Sequence, residues 1–164
     1  MKTILLLICV LLITSNISFG QDKNLSLDNR AQSVFVEVGG NGLLLSANYD
    51  TRFLRGQNGL GARVGIGYLA DPFGDADGLT FPLGLNYLFG KNRNYFELGA
   101  GATIYNLNGN SFFDVNESGT VFVPSIGYRF QPSNKGFTAR VIISPLIVKD
   151  GGALWAGISA GYKF

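Results

Sequence analysis

Apolar residues recur at every second position through almost the whole chain, and helical spacing is hard to find. The last segment is a clear instance. Leu154, Ala156, Ile158, Ala160, Tyr162 and Phe164 form one phase; Trp155, Gly157, Ser159, Gly161 and Lys163 form the other. Phe137 to Ile147, Phe122 to Phe130 and Phe96 to Ile104 repeat the alternation, as do Phe81 to Phe89 and Ala62 to Tyr68. Leu43, Leu45, Ala47, Tyr49, Thr51 and Phe53 make a further apolar phase, and Val34, Val36 and Val38 a shorter one. Period two predicts β-strands. Eight are expected, most of them about 9–11 residues long, the length a tilted strand needs to cross the hydrocarbon of a bilayer.

The charged residues fix which phase faces where. The phase that ends on an aromatic residue carries no Asp, Glu, Lys or Arg in any of the eight segments. The opposite phase carries Glu37, Asp50, Arg52, Arg63, Glu97, Arg129, Arg140 and Lys163 among Gly, Ser, Asn and Thr. A water-soluble sandwich or barrel places bulk inside and charge outside. Here the polar phase is also the small-residue phase, which suits a narrow, crowded interior, and the apolar phase carries the bulk, which suits a surface against lipid. Backbone groups facing lipid cannot be left unpaired, so such strands must close on themselves. The expected fold class is all-β: an eight-stranded antiparallel up-and-down transmembrane β-barrel with a polar, side-chain-filled interior.

The connections alternate in the same sense. "GGNG" (39–42), "DPFGDADG" (71–78), "NLNGNSFFDVNESG" (106–119) and "KDGG" (149–152) follow the odd-numbered strands, and the two longest of them are acidic. "LRGQNG" (54–59), "GKNRN" (90–94) and "QPSNKG" (131–136) follow the even-numbered ones and are short and basic. Long loops at one end and tight turns at the other are the asymmetry of outer-membrane barrels. At the turn end the chain returns again and again to a Tyr and a Phe: Tyr49 and Phe53, Tyr87 and Phe89, Tyr128 and Phe130, Tyr162 and Phe164. These eight are expected to form an aromatic girdle at one membrane interface.

Composition narrows the compartment. Lys2, the apolar run Ile4–Ile13 and the closing Ser18-Phe19-Gly20 have the layout of a secretory signal peptide, with cleavage expected after Gly20. The expected organisation is a signal peptide at 1–20, a flexible leader at 21–30 and an outer-membrane barrel at 31–164. Cys9 is the sole cysteine and lies inside the apolar run after Ile8, so neither a lipoprotein site nor a disulfide is expected. A formal charge of +2 is too small to suggest a nucleic-acid partner.

These residues resemble the small eight-stranded outer-membrane β-barrels of Gram-negative bacteria, the OmpA/OmpX-type transmembrane domain. The most specific match is the terminal "AGISAGYKF". Ile158, Ala160, Tyr162 and Phe164 are similar to the C-terminal signal read by the barrel-assembly machinery, and the resemblance covers 31–164. It implies location in the bacterial outer membrane, contact with its lipid, assembly through the C-terminal strand and a monomeric state. Unlike full-length OmpA-like proteins, the chain shows no periplasmic peptidoglycan-binding domain. Enzymes on this architecture rely on a histidine as general base, and this chain has none, so no catalysis and no cofactor are expected.

The remaining motifs are weaker. "GIGYLA" (65–70) fits a dinucleotide fingerprint but lies in an alternating strand followed by Asp71-Pro72, with no helix to hold a phosphate. "GLNYLFGKN" (84–92) echoes a phosphate loop, but it has one residue too many between its glycines and Asn92 where Ser or Thr is needed. Asp71, Asp75 and Asp77 on one loop are hard oxygen ligands for weak Ca²⁺ binding, against the plainer reading of a solvated turn. Glu97 and Asp50 are expected to face Arg63, Arg129 and Arg140 across the interior and fill it. Phe35, Leu44, Leu69, Leu88, Tyr105 and Trp155 also point inward and favour a plug over a pore. The expected role is structural or carried by the loops, with Phe73, Phe112 and Phe113 as candidates for contacting an extracellular ligand. A narrow channel for ions or small solutes is the alternative, and a secreted soluble barrel the third reading.

Overall fold

The computed structural model of the chain describes residues 30–70, 77–108, 118–148 and 151–164. They form strands β1 (Gln32–Gly39), β2 (Leu45–Arg52), β3 (Gly59–Ala70), β4 (Asp77–Lys91), β5 (Asn94–Asn108), β6 (Ser118–Phe130), β7 (Gly136–Val148) and β8 (Gly151–Lys163). Each pairs antiparallel with its neighbour in sequence, and β1 pairs with β8 from Ser33↔Lys163 to Gly39↔Gly157, which closes the barrel. The seam is completed where the Phe164 amide donates to the Gln32 carbonyl at 3.0 Å. The all-β, up-and-down architecture expected from the alternation is the one observed.

Alternation produces the wall. Successive side chains on a strand point to opposite faces. Val34, Val36, Val38, Leu83, Leu85, Ile104, Val141, Ile143 and Ile158 all lie on the convex surface, 44% to 62% exposed. Between them, Ser33, Phe35, Glu37, Arg63, Asn86, Glu97, Thr103, Arg140 and Ser144 face the axis and are buried. No helix among the described residues is long and apolar enough to cross a membrane, which leaves open a crossing made by strands.

Most strands run longer than their apolar phase. β4 and β5 each run for 15 residues, because Asp77, Gly78 and residues 106–108 continue the ladder beyond the apolar phase. Hydrogen-bond pairing does not require an apolar side chain, so hydropathy underestimates it. The larger departure is at β2, which starts at Leu45 and not at Leu43. The alternation puts Leu43 on the outward phase, but it is buried, with φ at 75°, in a turn that folds into the barrel.

One ladder is interrupted. Between β6 and β7 the pairing runs from Phe130↔Ala139 to Ile126↔Ile143 and resumes at Phe122↔Ile147. That register sets Pro124 opposite Pro145. Neither has an N–H, so the two hydrogen bonds that this pair would exchange are missing.

Candidate functional site

The interior is built in layers along the axis, beginning with a chain of alternating charges. Arg63 donates to Glu37 at 3.1 Å, and Arg140 bridges Glu37 at 2.6 Å and Glu97 at 3.1 Å. Arg129 forks onto Glu97 through Nε at 2.8 Å and Nη2 at 3.0 Å, and reaches Asp50 at 3.0 Å. Arg52 closes the series on Asp50 at 2.6 Å. The order Arg63–Glu37–Arg140–Glu97–Arg129–Asp50–Arg52 begins and ends on a guanidinium, and its members come from β1, β2, β3, β5, β6 and β7.

Every one of these seven side chains is buried, so each charge depends on its neighbours for what water would supply. Arg52, the end member, also donates to the Gly59 carbonyl at 3.0 Å and to the Asn86 side-chain oxygen. Asn86 returns a donor to Asp50 at 2.6 Å. The Arg140 guanidinium lies 4.3 Å from the centre of the Phe35 ring, whose face stabilises a cation.

Arg63 was expected opposite Glu97 and Asp50, but its carboxylate partner is Glu37. Lys163 stands apart from the series. Its ammonium donates to the carbonyls of Pro132, Ser133 and Asn134 at 2.9, 2.7 and 3.0 Å and so holds the β6–β7 turn under the barrel. Gln131 closes the same end, donating to the Gln57 carbonyl at 3.2 Å.

A second layer has no counterpart in the alternation of the sequence. Gly40–Gly42, the short connection after β1, forms a 3-10 turn tucked into the interior rather than standing free. The Asn41 amide donates to Glu37 at 3.0 Å, which ties the turn to the charge chain. Thr80 donates to the Gly42 carbonyl at 3.0 Å, Thr103 to the Asn41 carbonyl and Trp155 to the Leu43 carbonyl at 2.9 Å. The turn enters because its neighbour is bare: a Cβ on Gly157 would lie 2.5 Å from the Gly40 Cα. Leu43 is held in a tight turn in which the Leu44 amide donates to the Gly42 carbonyl at 3.2 Å, a conformation rarely adopted by residues with a side chain.

The third layer, toward the loop end, is apolar. Tyr105, Leu107, Val121 and Val123 pack together there, with Leu69 and Leu146 against them. Phe35 and Leu88 are buried lower in the barrel; Leu44 and Trp155 are half-buried.

On the convex face, Phe53, Tyr87, Phe89, Tyr128, Tyr162 and Phe164 are exposed, whereas Tyr49 and Phe130 are half-buried. The Tyr87 and Phe89 rings are 4.4 Å apart, and the Tyr128 hydroxyl donates to Asn94 at 2.7 Å. Ile158, Ala160 and Tyr162 on β8 present outward, as does Phe164 directly after it. Asp77 accepts from the Tyr68 hydroxyl, and among the described residues no acidic cluster could hold a metal ion. Asp71, Asp75, Phe73, Phe112 and Phe113 lie outside the described residues, as do the signal segment and the leader up to residue 29.

No protein-family model matches the chain, and no curated protein resembles it closely in sequence. Solved structures share its fold. The N-terminal β-barrel domain of Pseudomonas aeruginosa OprF superposes with a TM-score of 0.60 at 17% identity, covering 84% of this chain and 98% of that one. Ail, the attachment invasion locus protein of Yersinia pestis, gives a TM-score of 0.48 at 18% identity, covering 83% and 99%. The fold of this chain is that of the small eight-stranded outer-membrane β-barrels, the OmpA/OmpX type.

Proposed function

We propose that the chain is an integral barrel of the bacterial outer membrane, closed to solutes, with a structural role or one carried by its loops. The observation that carries this reading is the inversion of polarity: aliphatic and aromatic side chains cover the convex wall while the ion pairs are buried on the axis. In water such a wall would leave an apolar surface far larger than soluble monomers expose. In lipid it costs nothing, and the closed ladder satisfies the backbone everywhere but at the Pro124–Pro145 break.

In this reading the aromatic residues from Tyr49 to Phe164 form the interfacial girdle at the turn end. Ile158, Ala160, Tyr162 and Phe164 are the strand recognised by the assembly machinery, and residues 1–20 direct export. The loop end faces outward, and Phe73, Phe112 and Phe113 are the residues to substitute when a ligand is sought. A catalytic role has no support in the interior, where each carboxylate is engaged by at least one guanidinium.

Cell fractionation followed by electrophoresis of boiled and unboiled samples tests location and closure together. The expected result is a detergent-dependent protein in the outer-membrane fraction that migrates faster unboiled than boiled. Recovery from the soluble fraction without detergent would refute the proposal and favour a secreted barrel.

A further inference from the structure

The end of the barrel where the three tight turns and both strand termini meet carries a ring of exposed cations. Arg30, Arg55, Lys91, Arg93 and Lys135 are all exposed on this rim. Arg30 is placed there by its bridge to Gly56, and Arg93 by the Gln131 amide that donates to its carbonyl. Among the described residues no acidic side chain shares the rim: Glu37, Asp50 and Glu97 are buried in the interior, and Asp77 lies at the opposite end. No ion pair among the described residues engages Arg30, Lys91, Arg93 or Lys135. The connections at the other end contain Asp71, Asp75, Asp77, Asp114, Glu117 and Asp150 against a single Lys149. The molecule is charged along its axis.

We infer that this rim binds the headgroups of anionic phospholipids in the leaflet that surrounds the turn end of the barrel. Two features select a lipid surface over a single docked polymer. First, the cations are dealt out around the circumference, one or two at each of the three turns, and not gathered into a cleft. Second, each turn is flanked by an outward aromatic: Phe53 before Arg55, Phe89 before Lys91, Phe96 after Arg93 and Phe137 after Lys135. Aromatic rings at the interface with cations just beyond them match the depth profile of a headgroup layer. A cation near an anionic surface strengthens association roughly fivefold at low ionic strength, and several acting together multiply. The inference rests on the outer-membrane reading above.

The test uses the mature chain folded in detergent micelles doped with either phosphatidylglycerol or phosphatidylcholine, followed by native mass spectrometry of retained lipid. The variant carries Lys91→Gln, Arg93→Gln and Lys135→Gln, all at exposed positions of the rim. The wild type is expected to retain phosphatidylglycerol over phosphatidylcholine. Its preference should fall at least about tenfold in the variant, and likewise at about 1 M salt, where screening shortens to ~3 Å. Equal retention of both lipids, or the same preference in the variant, overturns the inference. So does cosedimentation with purified peptidoglycan that is lost in the variant while lipid retention shows no preference. The boiled and unboiled comparison, run on the same samples, separates the two ideas: a heat-shifted, detergent-dependent barrel without lipid preference sinks only this one.

Discussion

Glu97 is the residue on which the interior charge chain turns, because it is shared by Arg129 and Arg140 in a space that water does not reach. Removing it strands two guanidinium groups. Glu97→Ala should therefore cost about 3–5 kcal/mol, read as a lower urea midpoint in micelles, whereas Glu97→Gln, which keeps an acceptor, should cost less. An unchanged midpoint for the alanine variant would mean that the interior is wetter than the packing implies. The tucked turn makes a second residue-scale case. A methyl group at position 157 must displace Gly40, and with it the carbonyl of Leu43 that Trp155 grips. Gly157→Ala should lose about 1–3 kcal/mol, as overpacked sites do. Trp155 is the only tryptophan in the chain, so its emission reports the event directly by shifting to the red. Gly151→Ala, where a Cβ meets nothing within 4 Å, is the control that should do neither.

Among the elements, β6 and β7 share the weakest join. Pro124 and Pro145 face each other with carbonyls and no amide hydrogens, and in lipid nothing else replaces the missing bonds. Pro145→Val gives the Pro124 carbonyl a donor and places a β-branched residue on the outward face. Stability should rise by about 1 kcal/mol, and amide exchange at Ile126 and Ile143 should slow relative to the uninterrupted β4–β5 ladder. A destabilised variant would show instead that the prolines relieve strain in the wall. The strands themselves were legible because a charged residue on one phase and none on the other leaves few orientations for Arg63, Glu97 or Arg140. Their partners were not legible. Which guanidinium meets which carboxylate depends on how far each strand is staggered around a closed barrel, and a local pattern carries no record of that. The inward fold of the turn at 39–42 was not legible for a related reason. Gly-Gly-Asn-Gly satisfies the rules for an exposed hairpin, and its burial follows from a bare position at Gly157, more than a hundred residues away.

For the whole molecule, the three interior layers act in series, and this decides how conductance should respond to substitution. The charge chain, the tucked turn and the apolar cluster around Val123 hold by different forces: ion pairing, backbone hydrogen bonds and hydrophobic contact. Losing one leaves the other two across the axis. In planar bilayers the wild type should therefore be silent, and so should Arg140→Ala and Val123→Ala taken singly, even though each weakens the fold. Only combined changes, such as Arg140→Ala with Val123→Ala and Gly157→Ala, are expected to give unitary steps. Discrete steps in the wild type, altered by Arg140→Ala alone, would mean that the charge chain is a selectivity element and the barrel a narrow channel. An interior built from three successive seals is what a barrel needs if its work is done at its two rims, with the wall left to hold them apart at a fixed distance across the bilayer.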